Sequence, residues 1–294
     1  MANSERLTRR APAKINLGLH VLRKRDDGYH DIETVFHRIG WSDVVSVEPA
    51  DRLSMTCSDP DLPTDEANLC MQAALDLQDA AGVMAGAQIH LEKRVPYGAG
   101  LGGGSSDAAI TLLLLADLWL SADDAGELPR AEVHAMLRDV AAGVGSDVPF
   151  FLEDLPAAYA TGRGEILEPL RAEVGGFELD APLVVVVPPV EVSTPDAYGR
   201  VTPRENERPD LRSLVASADV TRWRRELVND FSATVLDAYP EVASAHDMLV
   251  EMGASYVSLS GSGSAVYGVF DDSTNADAAE VQARARGYEV GRGV

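Results

Sequence analysis

The sequence predicts an α+β fold in two domains, residues 1–168 and 169–294. Three observations carry it. Strand patterns crowd the first third, long helical patterns fill the middle, and strands and helices then mix without a regular βαβα alternation. In order, Ile15, Leu17, Leu19 and Val21 alternate with Asn16, Gly18 and His20, so residues 15–21 read as a strand. Residues 32–39, 43–48 and 52–57 are further strand candidates. The turn-rich residues 59–65 precede apolar groups at helical spacing over residues 67–81. A strand over 87–93, a glycine-rich loop and a strongly apolar helix over 106–120 follow, with residues 121–128 as loop. A helix over 130–142 runs into Gly143. Beyond the boundary, residues 182–190 are a β-branched run, the mark of a buried strand. Pro195 opens a short helix, and the polar, proline-bearing residues 200–211 form a loop or lid. Helices over 227–238 and 241–252 precede a hairpin, strands 255–260 and 265–270. A helix over 275–286 and a short terminal strand end the chain.

The chain has 294 residues, 25 basic and 47 acidic, for a net charge of −22. Such a charge excludes a coat for nucleic acid or for an anionic membrane. A hydrophobic content of 46% excludes a disordered chain. Cys57 and Cys70 fit no close metal-ligand pattern, which points to a reduced, cytoplasmic setting. Residues 1–10 lack an apolar signal core, and the longest apolar stretches, 108–116 and 183–190, are too short to span a bilayer. Lys14, Lys24 and Lys93 are the only lysines, so each merits attention. The acid excess fits either a salt-adapted host or a well-solvated acidic surface.

The strongest local feature is the run Pro96, Tyr97, Gly98, Ala99, Gly100, Leu101, Gly102, Gly103, Gly104, Ser105, Ser106, Asp107. Glycines expose backbone N–H groups and accept positive φ. A helix start adds unpaired donors and partial positive charge, which suits a polyphosphate. Ser105 and Ser106 can donate hydroxyls or ligate magnesium. Gly98, Gly100 and Gly103 also match the dinucleotide fingerprint, but no second parallel strand ending in an acid follows. A Walker loop needs a lysine at its end, and none lies there. A simple packing turn needs only one or two glycines.

Other residues leave alternatives open. Asp147, in Gly145-Ser146-Asp147-Val148-Pro149-Phe150-Phe151, is either a helix cap, the commoner use of Ser-Asp, or a functional acid. Lys14 is either an edge-strand charge or an anion partner, and Asn16 shares its strand face. Asp27-Gly28-Tyr29-His30 is a turn whose aromatic and imidazole could hold a flat ligand. Gly261-Ser262-Gly263-Ser264 is a hairpin turn by local reading. No histidine shows a zinc spacing, so no structural or catalytic zinc is expected.

Taken together, Ala13-Lys14-Ile15-Asn16-Leu17, the loop from Pro96 to Asp107, and Leu259-Ser260-Gly261-Ser262-Gly263-Ser264-Ala265 resemble the superfamily of galactokinase, homoserine kinase, mevalonate kinase and phosphomevalonate kinase. Asp27-Gly28-Tyr29-His30 and Gly145-Ser146-Asp147-Val148-Pro149-Phe150-Phe151 match a member whose acceptor carries a diphosphocytidyl group. Asp107 departs from the many relatives with asparagine or alanine there, and its charge near a phosphate site is unfavourable unless it points away or caps the helix. The resemblance implies an N-terminal ribosomal-protein-S5-like domain that binds ATP, a C-terminal ferredoxin-like domain that binds substrate, and an active site in the cleft. It places ATP on Pro96 to Ser106 and on Asn68, with Mg2+ on the phosphates. It places the cytidyl diphosphate substrate near Asn16, Tyr29, His30, Thr194, Tyr198, Gly261 and Gly263. Asp147 would take the acceptor's proton and Lys14 would neutralise charge at the reacting oxygen or γ-phosphate. No nucleic-acid or membrane partner is expected, and the chain would act as a monomer or weak homodimer.

Overall fold

The computed structural model describes residues 6–120, 129–170, 177 and 179–293; the loop expected over 121–128 lies outside them, as does part of the region around the expected domain boundary. The strands are β1 (Leu7–Lys24), β2 (His30–Ala50), β3 (Ser54–Cys57), β4 (Gly86–Glu92), β5 (Ala157–Thr161), β6 (Ile166–Pro169), β7 (Leu183–Val187), β8 (Tyr256–Leu259), β9 (Val266–Val269) and β10 (Glu289–Arg292). The helices are α1 (Leu69–Ala81), α2 (Gly103–Trp119), α3 (Arg130–Val144), α4 (Val148–Leu152), α5 (Thr194–Arg200), α6 (Leu211–Ala216), α7 (Val220–Glu226), α8 (Ser232–Ala238), α9 (Pro240–Glu251) and α10 (Ser273–Ala285). The described residues fall into two compact units. One takes in the chain to Ala13, Ser42–Val95 and Gly103–Asp154; the other takes in Lys14–Trp41, Pro96–Gly102 and the chain from Leu155 on.

In the first unit, the β2 residues Val44 to Ala50 pair antiparallel with β4, and β3 pairs parallel with β4. Helix α2 packs on α1 and α4, and α1 on α3. Most of α2 is buried, including Ile110, Leu112, Leu114 and Leu115, which explains why its sequence is apolar nearly all round. Asn68 caps α1 by accepting the Cys70 N–H, and Gly82 ends it at φ 64°.

In the second unit, β7 runs through a four-stranded antiparallel sheet in the order β10-β7-β9-β8. Helices separate β7 from β8, and α10 links β9 to β10, which is the ferredoxin-like β-α-β-β-α-β arrangement. All five β7 residues are buried. Val184 and Val186 share one buried core with Leu259 and Val266 of the same sheet, and with Leu249, Ala276 and Ala279 from α9 and α10. The β2 residues Thr34 to His37 pair antiparallel with β5, and β5 pairs with β6.

Several boundaries differ from the sequence expectation. Residues 32–39 and 43–48 belong to one continuous strand, since Gly40 and Trp41 stay extended. Strands β5 and β6 have no periodic signature; the Ala-rich β5 is a strand because it pairs with β2. The helix expected over 227–238 begins only at Ser232, as α8. Residues 227–230 are extended instead, with Leu19 N–H donating to the Val228 carbonyl at 3.0 Å and Asp230 N–H to the Leu19 carbonyl at 2.9 Å. Gly18 makes room for this segment: at φ +72°, a Cβ there would lie 2.6 Å from Leu227 Cδ1.

Candidate active site

The lysine-bearing strand presents its polar face as the alternation predicts. Lys14 and Asn16 are both buried, and Lys14 Nζ donates to Asn16 Oδ1 at 2.8 Å and to the Gly100 carbonyl at 3.0 Å. Its ammonium also sits 5.1 Å from the centre of the Phe36 ring. Asn16 Nδ2 donates to Thr34 Oγ1, and the Tyr267 hydroxyl donates to the Asn16 carbonyl at 2.9 Å. Lys14 is therefore a held cation, not the solvated edge charge that local sequence left open.

The glycine-rich loop divides at Gly102. In the second unit, Gly98, Gly100 and Gly102 take φ of 69°, 79° and 66°, where a side chain would be strained. Between them Ala99 and Leu101 are buried and anchor the loop. Gly103 and Gly104 begin α2 in the first unit, three residues before the expected start. Gly103 has no positive φ, so its reason for being glycine is space: a Cβ would lie 3.1 Å from Lys93 Nζ. Ser105 and Ser106 continue the first turn, whose N–H groups lack intrahelical partners. The Ser106 hydroxyl is fully buried without a protein partner among the described residues.

Asp107, the departure in the loop, points into the protein. It pairs with Lys93 Nζ at 2.9 Å, and Lys93 also pairs with Asp43. Asp43 in turn accepts the N–H groups of Arg94 and Val95. Burial pushes the Asp107 carboxyl up to about 7 despite Lys93. Burial works against the charged lysine too, but the two carboxylates together outweigh it and hold Lys93 above its ordinary value. The charge at position 107 is thereby turned inward, onto Lys93. The scarcity of lysines was the one sequence signal for this group.

Asn68 uses both ends of its amide at the α1 cap, Nδ2 donating to the Pro63 carbonyl at 2.8 Å. Asp147 stands at the cap position of α4, yet its side chain makes no capping hydrogen bond. The helix-cap use of Ser-Asp is thus not the one found. Phe150 and Phe151, just beyond it, are buried.

Tyr198 stacks on His30, ring centres 4.7 Å apart and planes within 19°, and meets Phe231 edge-on. Tyr29 is exposed, with the Arg163 guanidinium 5.1 Å from its ring. Burial, with a smaller effect from Lys24, lowers the His30 pKa, so its imidazole is neutral near pH 7. Thr194 Oγ1 lies 3.2 Å from Ser262 Oγ. The hairpin turn at Gly261 is more than a turn. Ser260 Oγ donates to the Gly100 carbonyl at 2.8 Å, and Ala265 N–H donates to the Ala99 carbonyl at 3.0 Å. A Cβ at Gly100 would run into the Ser260 carbonyl oxygen. Sequence reasoning placed Gly261 and Gly263 at the site but gave no role there to Ser260, Tyr267 or Asn229.

Residues 68–154 match the family described as GHMP kinases N terminal domain, and residues 211–289 match GHMP kinases C terminal. The chain belongs to the GHMP kinase family and is an ATP-dependent small-molecule kinase. More narrowly, it is 58% identical to the 4-diphosphocytidyl-2-C-methyl-D-erythritol kinase of Salinibacter ruber over 93% of each chain. The protein of the same name from Chlorobium phaeobacteroides is 45% identical over 91% of this chain and 90% of that one. Among solved structures, a 4-(cytidine 5'-diphospho)-2C-methyl-D-erythritol kinase superposes with a TM-score of 0.78 at 34% identity, covering 98% of this chain and all of the other. A homoserine kinase from Cytophaga hutchinsonii, 16% identical with a TM-score of 0.68, shares the fold over 100% of this chain and 96% of its own.

Proposed function

We propose that this kinase transfers the γ-phosphoryl group of ATP to the 2-hydroxyl of 4-diphosphocytidyl-2-C-methyl-D-erythritol, giving the 2-phosphate and ADP in non-mevalonate isoprenoid precursor synthesis. The observation that carries this reading is the 58% identity to the Salinibacter ruber enzyme over 93% of both chains. The site supports it. A neutral His30 both donates and accepts, which matches the N4 donor and N3 acceptor of cytosine. Stacked on Tyr198, it also offers a flat face to a base.

ATP phosphates would rest on the N–H groups of Pro96-to-Ser106 and on the start of α2. Asn68 would lie by the adenosine, and Asn16, Tyr29, Thr194, Gly261 and Gly263 by the substrate. The buried, unpartnered Ser106 hydroxyl fits a ligand such as Mg2+-bound phosphate, and Ser105 and Ser106 would hold it. The ion would neutralise charge on the phosphate oxygens. An alcohol becomes acidic only as its oxygen bonds to phosphorus, so Asp147 would accept that proton late in the transfer. Lys14 would offset the negative charge at the reacting oxygens. Two family matches lying on either side of residue 168 support ATP binding by residues 1–168 and substrate binding by 169–294. We further place the enzyme in the cytoplasm as a monomer or weak homodimer, and the charge of −22 supports a role apart from nucleic acid.

The test is ADP release by purified protein offered the cytidyl alcohol, homoserine and phosphomevalonate in turn. Release with the cytidyl alcohol alone is expected. Release with another acceptor reassigns the substrate, and ATP binding without turnover of any acceptor removes the enzymatic reading.

A further inference from the structure

Asn229 lies in the extended segment between α7 and α8, is 2% exposed, and uses every hydrogen-bonding atom of its amide. Nδ2 donates to the Leu259 carbonyl at 3.0 Å and to the Gly261 carbonyl at 2.9 Å, and Oδ1 accepts the Phe231 N–H at 3.0 Å. Its backbone is fixed as well, because the segment bridges to Leu19 of β1, five residues from Lys14. The two carbonyls it grips flank Ser260, whose hydroxyl donates to the Gly100 carbonyl. That same carbonyl accepts Lys14 Nζ. Gly100 lacks a Cβ where the Ser260 carbonyl approaches, so the two loops meet backbone to backbone.

We propose that Asn229 is a positioning residue for phosphoryl transfer: by clamping the carbonyls on either side of Ser260, it fixes the Gly100 carbonyl and through it the ammonium of Lys14. The amide is required by its chemistry. Two N–H groups on one nitrogen serve two carbonyls, while a carboxylate of the same shape would set a buried charge against both oxygens. Alanine would leave both carbonyls without these donors. Asn229 touches none of the proposed reacting groups and acts only through the loop.

The activity readout rests on the proposed function; a second readout does not. Asn229→Ala, Ser260→Ala and the double variant are compared with the parent for kcat, for KM of ATP, and for the 13Cε resonances of labelled lysine without substrate. With only Lys14, Lys24 and Lys93 present, these resonances are readily assigned. Each single variant is expected to lose about 10- to 100-fold in kcat with little change in the KM of ATP, in line with losing a buried tether. The Lys14 resonance shifts while that of Lys24 does not. The double variant loses no more kcat than the worse single one, because both substitutions cut one linkage. A folded Asn229→Ala with parental kcat and an unmoved Lys14 resonance overturns the proposal, as do independent losses in the double variant. If Asn229→Ala does not fold, Ser260→Ala alone decides by the same two readouts. If the parent fails to turn over the cytidyl alcohol, the substrate reading falls while the Lys14 resonance still tests the clamp.

Discussion

His30 and Asp147 are single residues whose environments give separate tests. Burial lowers the His30 pKa, so the imidazole stays neutral to a lower pH than an ordinary histidine does. The proton-free nitrogen that would read cytosine is lost only as pH falls through that lowered value. Efficiency with the cytidyl substrate should therefore still hold at about pH 6.5, the ordinary histidine value, and decline only as pH falls further, through the lowered value. His30→Ala should cost roughly 10- to 100-fold in kcat/KM, the loss of buried hydrogen bonding, and narrow the preference for cytidyl over uridyl analogues. Unchanged base preference in kinetic assays would move the base site elsewhere. Asp147 stands at the start of α4 without a capping bond to it. Asp147→Asn is expected to lower kcat by about 10²- to 10⁴-fold with ATP affinity intact, as loss of a general base does. Near-parental turnover would remove Asp147 from the chemistry.

Helix α2 is joined to β2 and to the end of β4 through a buried cation between two carboxylates. Taking away Lys93 leaves Asp43 and Asp107 buried with their shared partner gone. Lys93→Met should destabilise the protein by about 3–5 kcal/mol in urea titrations, the cost of breaking a buried pair from one side. Asp107→Asn, which keeps the Lys93–Asp43 pair, should cost much less; equal losses would mean that the lysine does not join the two. On β2, burial holds the pKa of His37 down to about 4. The unfolded chain then binds a proton between about pH 6.5 and 4 that the folded chain does not. Stability is full above that window and falls as pH drops through it, by up to about 3 kcal/mol. His37→Gln, whose side-chain oxygen can still accept the Leu179 N–H, should flatten this part of the pH–stability curve. An unchanged slope would assign the acid sensitivity to other groups.

For the whole molecule, 47 acidic residues against 25 basic ones set the conditions under which it is stable. Like charges repel across the surface, and salt screens that repulsion within about 10 Å at 0.1 M. Raising KCl from low to molar concentration should therefore raise the Tm, and a falling Tm would show that surface ion pairs outweigh the repulsion. Composition reveals this property because net charge needs no coordinates. Local pattern likewise reveals the alternating face of Lys14 and Asn16, the positive-φ glycines of the glycine-rich loop, the β-branched run of β7 and the β8–β9 hairpin. Each of these is settled by residues close together in the chain, where backbone sterics and side-chain period act directly. Tertiary structure decided the rest. Ala-rich β5 became a strand only by pairing with β2, and the 227–230 segment left its helical pattern only because Leu19 offered backbone partners. Asp107 turned inward only because Lys93 lay there to meet it. Tyr198 came to stack on His30, and Asn229 came to grip Leu259 and Gly261, across separations that no local period encodes. These contacts depend on burial and on hydrogen-bond partners brought together by folding, so the sequence supplies their chemistry and the fold selects their pairing.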